Sequence, residues 1–273
     1  FVTTSGALTN YTQVPQSNGT GTGLFVFSLP VSLGMDITDR WSVGTSAALG
    51  IGLYDFPFVG ASNMTMDYAL RGTLGTNYKL NDYNTIGSYY QTKQNFKFQN
   101  GFVFNSGPIN ITQDVYLDMP ENLGLGIANT ALMDGRLLLG ADLLYKLWDN
   151  CDTFDIVYDN QFAVQLGSQL SVGKYRFRSG YVWAQNPMDQ APGPAIGGVV
   201  EPGGIRAIRY TQGLLAVTSQ HRISGGVGVQ NVLPGIDLDM MAGGMFKDSE
   251  QLGEFTSTSI ESYWIGGGVT WRF

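Results

Sequence analysis

Apolar and polar side chains alternate one by one through Tyr263–Phe273. Phe273, Trp271, Val269, Gly267, Ile265 and Tyr263 make one row, and Arg272, Thr270, Gly268, Gly266 and Trp264 the other. A strand sends successive side chains to opposite faces, so each row belongs to one face of a sheet. The same period of two runs through Phe25–Ile37, Trp41–Leu53, Met66–Leu80, Ile86–Phe98, Leu123–Ile127 and Leu137–Leu147. It continues through Phe162–Leu170, Tyr175–Trp183, Ile223–Asn231 and Ile236–Phe246. Val2–Tyr11 reads as a further, weaker strand.

Charge placement narrows the choice of fold. Asp67, Arg71, Lys79, Lys93, Lys97, Asp142, Lys146, Lys174, Arg176, Arg178, Arg222, Asp237, Asp239 and Arg272 all fall on the polar rows. A lysine or arginine facing lipid at mid-depth costs about 2–4 kcal/mol, so a bilayer imposes this segregation. A soluble sandwich also segregates its rows, but its strands average about 5–6 residues, whereas many of these segments run about 11–15 residues. Ten residues of tilted strand cover roughly 25 Å, the apolar height of a transmembrane barrel. Charged residues are 14% of the chain, glycines number 37 and aromatics reach 12%. No run of about 18 apolar residues offers a membrane helix. The expected fold is an all-β, transmembrane antiparallel up-and-down β-barrel of about 12–14 strands, one domain over residues 1–273.

Short turns at Asp39-Arg40, Asn81-Asp82, Asp134-Gly135, Val172-Gly173 and Pro234-Gly235 alternate with longer links. The links are Tyr54–Thr65, Gln99–Pro120, Asp149–Asn160, Asn186–Gln220 and Lys247–Ser259; Asn186–Gln220 suits a short helix or a strand extension. Short turns on one side and long loops on the other match the periplasmic and extracellular ends of such barrels. A net charge of −7 argues against nucleic-acid binding. One cysteine, Cys151, and one histidine, His221, leave no disulfide framework, His-based triad or multi-histidine metal site. No cofactor and no enzymatic activity are expected.

Several motifs resemble the FadL/TodX family of outer-membrane transporters for long-chain fatty acids and other hydrophobic compounds. Leu117–Leu123 carries a Pro-Glu entry into a strand, and Tyr175–Trp183 with Asn186-Pro187 resembles the family's F-R-x-G strand and following loop. His221–Gly226 with Ile236–Asp239 resembles its late strand pair, and Arg71–Leu80 with Ile86–Phe98 another pair. The terminal aromatic Phe273, with Tyr263 and Trp271, is similar to the signature by which assembly machinery reads outer-membrane barrels. The resemblance implies passive uptake of hydrophobic small molecules across the outer membrane of a Gram-negative bacterium, by a monomer surrounded by outer-membrane lipids. That family's N-terminal hatch and about two or three strands have no counterpart here. The expectation is a chain N-terminally truncated relative to the family, with a smaller open barrel as the alternative. Two other functions suit the same composition: an assembly barrel binding partner proteins through its loops, and a general porin.

Arg71, Lys93, Lys97, Arg176 and Arg178 are the candidate ligand contacts, able to hold a carboxylate by charge-assisted bonds. The alternative pairs them with Asp67, Asp142, Asp237 and Asp239 inside the barrel. Tyr89, Leu138, Leu144, Val182, Met241 and Met245 offer a greasy lumenal path, or simply fill it. Pro30 lacks an N–H within a regular strand, which marks either a wall kink open to lateral exit or a harmless bulge.

Overall fold

The computed structural model describes residues 2–8, 21–55, 64–106, 108–152, 154–189, 195–196, 199–200, 208–209, 212–213, 215, 217–253 and 256–272. Its strands are β1 (Val2–Leu8), β2 (Gly21–Asp36), β3 (Trp41–Asp55), β4 (Thr65–Lys79), β5 (Asn84–Gln91), β6 (Gln94–Ser106), β7 (Ile109–Met119) and β8 (Glu121–Leu132). Then follow β9 (Leu137–Leu147), β10 (Gln161–Val172), β11 (Tyr175–Ala184), β12 (Ala195–Ile196), β13 (Val199–Val200), β14 (His221–Leu233), β15 (Ile236–Leu252) and β16 (Thr256–Trp271). Twelve of them form one sheet in the order β1-β2-β3-β4-β5-β8-β9-β10-β11-β14-β15-β16. All its pairings are antiparallel neighbours in an up-and-down path. Buried residues of β2 (Val26) and β15 (Leu252) belong to one apolar cluster. Nine strand spacings in a flat sheet would hold those strands about 43 Å apart, so the sheet curls round its inner face.

Between the bulges at Asn129/Leu132 and Met245/Asp248, the registers carry that inner face around the wall. Ala48 pairs with Arg71, Thr73 with Gln91, Gln91 with Asn122, Asn122 with Lys146 and Lys146 with Gln161. Val182 then pairs with Arg222, and Arg222 with Met245. The opposite row is apolar and exposed: Leu29, Val31, Leu33, Leu70, Leu74, Leu125, Leu143, Val227, Met240, Ile265 and Val269 all lie bare. Its ends are aromatic. Trp41, Tyr78, Tyr175 and Trp271 ring the short-turn end, and Tyr68, Tyr90, Tyr145, Phe162 and Tyr263 the other. Tyr68 and Tyr78 are ten positions apart on β4, a height of roughly 25 Å for a strand tilted near 40°. Two aromatic girdles bounding an aliphatic belt of that height are the outer surface a bilayer selects. Phe273 lies outside the described residues, as do Phe1 and residues 9–20.

Three expectations are corrected. Ile86–Phe98 is not one wall strand: β5 stops at Gln91, and β8 closes on β5 directly. Gln99–Pro120 is not a loop, because β6 and β7 pair there as a separate two-stranded hairpin. That hairpin folds inward onto β3 and β4, so Phe96 and Phe98 are 1% and 0% exposed inside the barrel instead of facing lipid. The link at Lys247–Ser259 shrinks as well, since β15 and β16 extend to Leu252 and from Thr256, with Gly253 at φ +72° in the turn. Within Asn186–Gln220 lie the strand pair β12–β13 and helical residues at Ile208-Arg209 and Gln212-Gly213.

Pro30 lies within an unbroken β2–β3 ladder. Its register with β3 runs unshifted from Gly23 to Asp36. The Ile37 N–H donates to Trp41 O at 2.7 Å, so odd residues of β2 bond to β3 and the missing Pro30 N–H faces the other side. Among the described residues β1 pairs with β2 as far as Phe27, so no described partner loses a ladder bond to Pro30.

Candidate functional site

Lumenal glycines shape the bore. A Cβ on Gly124 would strike the Tyr89 ring, one on Gly126 the Asp142 carboxylate, and one on Gly87 the Asn77 amide. Each glycine lets its neighbour's side chain lie flat along the wall. On the short-turn side this leaves a cavity of about 780 Å³ bordered by Ser46, Thr73, Asn77, Tyr89 and Asp142.

The long-link end is filled instead. Phe96 and Phe98 pack where Gly50 and Gly52 lack side chains, stacking on each other and on Tyr54. Trp148, Phe154 and Tyr158 form a second aromatic group, with Tyr158 donating to Leu215 O. Leu117, Cys151, Val157, Met188, Ile208 and Leu252 join these into one buried apolar cluster. Burial drives the Tyr158 phenol well above its usual range and pushes the Cys151 thiol up to about 12, the Asp118 carboxylate adding to that rise. Both groups stay neutral, as an apolar setting requires.

Arg71 stands beneath this plug. β5 ends opposite Thr73, so no wall residue of β5 faces Arg71. The guanidinium spans the gap: Nε donates to Thr92 O at 3.0 Å and Nη2 donates to Pro120 O. Those two carbonyls are the exit and return points of the β6–β7 hairpin. Lys93 ties the same stem to the neighbouring loop, pairing with Asp118 at 3.1 Å and donating to Asn150 O at 2.8 Å. Burial opposes the Lys93 charge, but Asp118 and Asp152 outweigh it and hold its pKa above the ordinary value. Lys97 lies further along the hairpin and pairs with Asp114 at 3.1 Å, while its N–H donates to the wall residue Asp67 at 2.7 Å.

Of the five expected ligand contacts, Arg71 and Lys93 therefore meet at the hairpin stem, and Lys97 sits out on the hairpin. Arg176 and Arg178 lie near the opposite end, on β11. Arg178 is paired with Asp239 and also donates to Gln169 at 2.8 Å. Arg272 takes Asp237 at 2.6 Å, and Arg176 adds to the field there.

Two further cations share the upper lumen with Arg71. Lys146 of β9 and Arg222 of β14 point inward from other parts of the wall, and Lys146 lies within repulsive reach of both arginines. Its flanking partners are Asn122 and Gln161, and those of Arg222 are Val182 and Met245, whose sulfur accepts from Nε at 3.3 Å. Among the described residues no carboxylate forms an ion pair with any of the three. Only strand pairing reveals that their neighbours are neutral, so the sequence pattern, which placed them on the wet row, did not single out Lys146 and Arg222. Three like charges below an apolar plug give this part of the lumen a positive field.

Comparison with solved structures places the fold. The monoaromatic hydrocarbon channel TodX in a deltaS2S3 mutant form superposes with a TM-score of 0.70 at 14% identity, covering 100% of this chain and 78% of that one. The P. putida toluene transporter TodX gives 0.66 at 14%, again covering 100% and 78%. The Ralstonia pickettii toluene transporter TbuX gives 0.66 at 15%, covering 100% and 76%. No family model matches the chain, and no curated protein does. The likeness is one of fold: this chain has the β-barrel architecture of those channels.

Proposed function

We propose that the protein is a member of the FadL/TodX group of outer-membrane channels, passing hydrophobic small molecules into a Gram-negative cell by diffusion. The observation that carries this reading is the filled mouth. An apolar cluster occupies the long-link end of a barrel whose outer belt suits a bilayer. Water and ions meet an obstruction there, whereas a greasy solute meets surfaces it can wet. Neighbours of the same fold that carry toluene and other monoaromatic hydrocarbons support the reading, as do the sequence motifs. They are channels and transporters, which favours a channel over an enzyme.

The preferred solute has an apolar body and an acid group. Arg71, Lys146 and Arg222 receive the acid; Met245 lies beside Arg222, and Tyr89 and Leu144 flank the path below. Arg176 and Arg178, near the Asp237 and Asp239 carboxylates, serve the exit side. Outer-membrane lipids surround a monomer, and assembly machinery reads the terminal strand through Tyr263, Trp271 and Phe273. Proteoliposomes test the function: uptake of radiolabelled dodecanoate with little steady ion conductance supports it. A large steady conductance without such uptake marks a general porin and refutes it.

A further inference from the structure

We propose that the β6–β7 hairpin is an internal plug latched by Arg71, and that an anionic solute releases it by taking Arg71's donors. The anionic trigger rests on the function proposed above; the latch itself does not.

β5 pairs with β8 directly, without the hairpin between them. β5 and β8 pair from Asn84–Asn129 to Gln91–Asn122, so residues 92–120 leave and rejoin a closed ladder at a single point. Among the described residues the hairpin is attached to the wall by few polar bonds. Gln94 Nε2 donates to Ala69 O at 2.9 Å, Lys97 N–H to Asp67 at 2.7 Å, and Thr92 exchanges bonds with Gly72. Among the described residues, Arg71 is the wall side chain that grips both legs, through Thr92 O and Pro120 O. Neutral carbonyls are weaker partners for a guanidinium than a carboxylate, which makes two parallel charge-assisted bonds. An acid group arriving beside Lys146 and Arg222 competes for the same donors. Once Arg71 turns to it, the two hairpin legs lose their common anchor.

Cys151 reports the state of the plug. Its thiol is 1% exposed and belongs to the same cluster as Phe96, Phe98 and Leu117. The Asp152 N–H next to it donates to Asp118 of the hairpin at 3.2 Å. The experiment measures maleimide labelling of this sole cysteine, and single-channel conductance, in Arg71→Gln and in a variant with Gly-Gly in place of residues 94–119. Heat-modifiable gel mobility confirms folded barrels. The expected result without any solute is labelling and open probability raised about tenfold or more for Arg71→Gln, as for loss of one bond to a charged donor. Near-continuous conductance is expected from the deletion. In the wild type, dodecanoate raises labelling and dodecanol does not. A folded deletion variant that stays silent, or a folded Arg71→Gln labelled at the wild-type rate, overturns the latch. Dodecanoate uptake with unchanged Cys151 labelling overturns the trigger and leaves the transport function standing.

Discussion

Replacing Gly52 by valine tests whether the hairpin is held in the barrel by shape. A Cβ at Gly52 would lie 2.9 Å from Phe96 Cδ1 and from Phe98 Cζ, well inside ordinary carbon contact distance. Neither ring has room to retreat, because Phe98 is stacked on Tyr54 with centroids 5.2 Å apart and on Phe96 at 5.8 Å. Valine suits an extended wall residue, so the strand itself tolerates the change. The overpacking falls on hairpin docking and costs about 1–3 kcal/mol, a shift of roughly 5- to 150-fold toward the released form. The assay is Cys151 labelling on barrels whose folded gel mobility is intact. Gly167→Val is the control, since nothing lies within 4 Å of a Cβ at that lumenal glycine. Labelling of folded Gly52→Val at the wild-type rate refutes the docking geometry, and so does equal acceleration in the control.

Other perturbations follow from single contacts. Gly124→Val drives Tyr89 off the wall into the bore, so dodecanoate uptake falls severalfold in folded barrels; unchanged flux would show that Tyr89 does not border the path. Lys146→Gln, which removes a lumenal cation, raises the half-saturation concentration for dodecanoate and leaves that for an uncharged aromatic unchanged. Equal effects on both solutes would remove the acid-recognition role. Asp114 is held below the ordinary carboxylate value, first by the Asn100 N–H at 2.9 Å and then by Lys97. A depressed folded value means its stabilisation is present above the unfolded pKa near 3.9 and is lost as pH falls through the folded one. Hydrogen-exchange protection in the hairpin, after correction for the intrinsic rate, therefore falls as pH drops below the unfolded carboxylate pKa, and protection that is unchanged across that range would contradict this. Cys151, pushed up to about 12, reacts with maleimide at least about 100-fold slower folded than denatured.

The wall was legible in the sequence because its physics is local in period. Eleven alternating segments and the weaker Val2–Tyr11 correspond to the twelve strands of the sheet, and Gly135, Gly173 and Gly235, at φ +79°, +57° and +76°, occupy the turns expected of them. The hairpin was illegible for the same reason. Alternation continues with unchanged parity from Tyr90 across Thr92 to Phe96 and Phe98, so the period does not register that the chain has left the wall. Ile109, Ile111, Val115 and Leu117 did alternate with polar neighbours in what looked like a loop, a signal for β7 that its position between strands concealed. The site depends on pairing across strands: Arg71, Lys146 and Arg222 are 75 or more residues apart in sequence and meet only after the sheet curls. Pro30 illustrates the converse, since its effect depends on which neighbour its nitrogen faces.

Which side of the wall touches lipid can be measured on one strand. Nitroxide labels at Thr73 and Leu74, adjacent on β4, are placed in bilayer vesicles and relaxed by dissolved oxygen or by a water-soluble nickel chelate. The structure, with Leu74 62% exposed on the outer row and Thr73 bordering the inner cavity, predicts that oxygen relaxes the Leu74 label more and the chelate the Thr73 label more. Equal relaxation at both sites, or the reverse order, would contradict a barrel with its greasy row in the membrane.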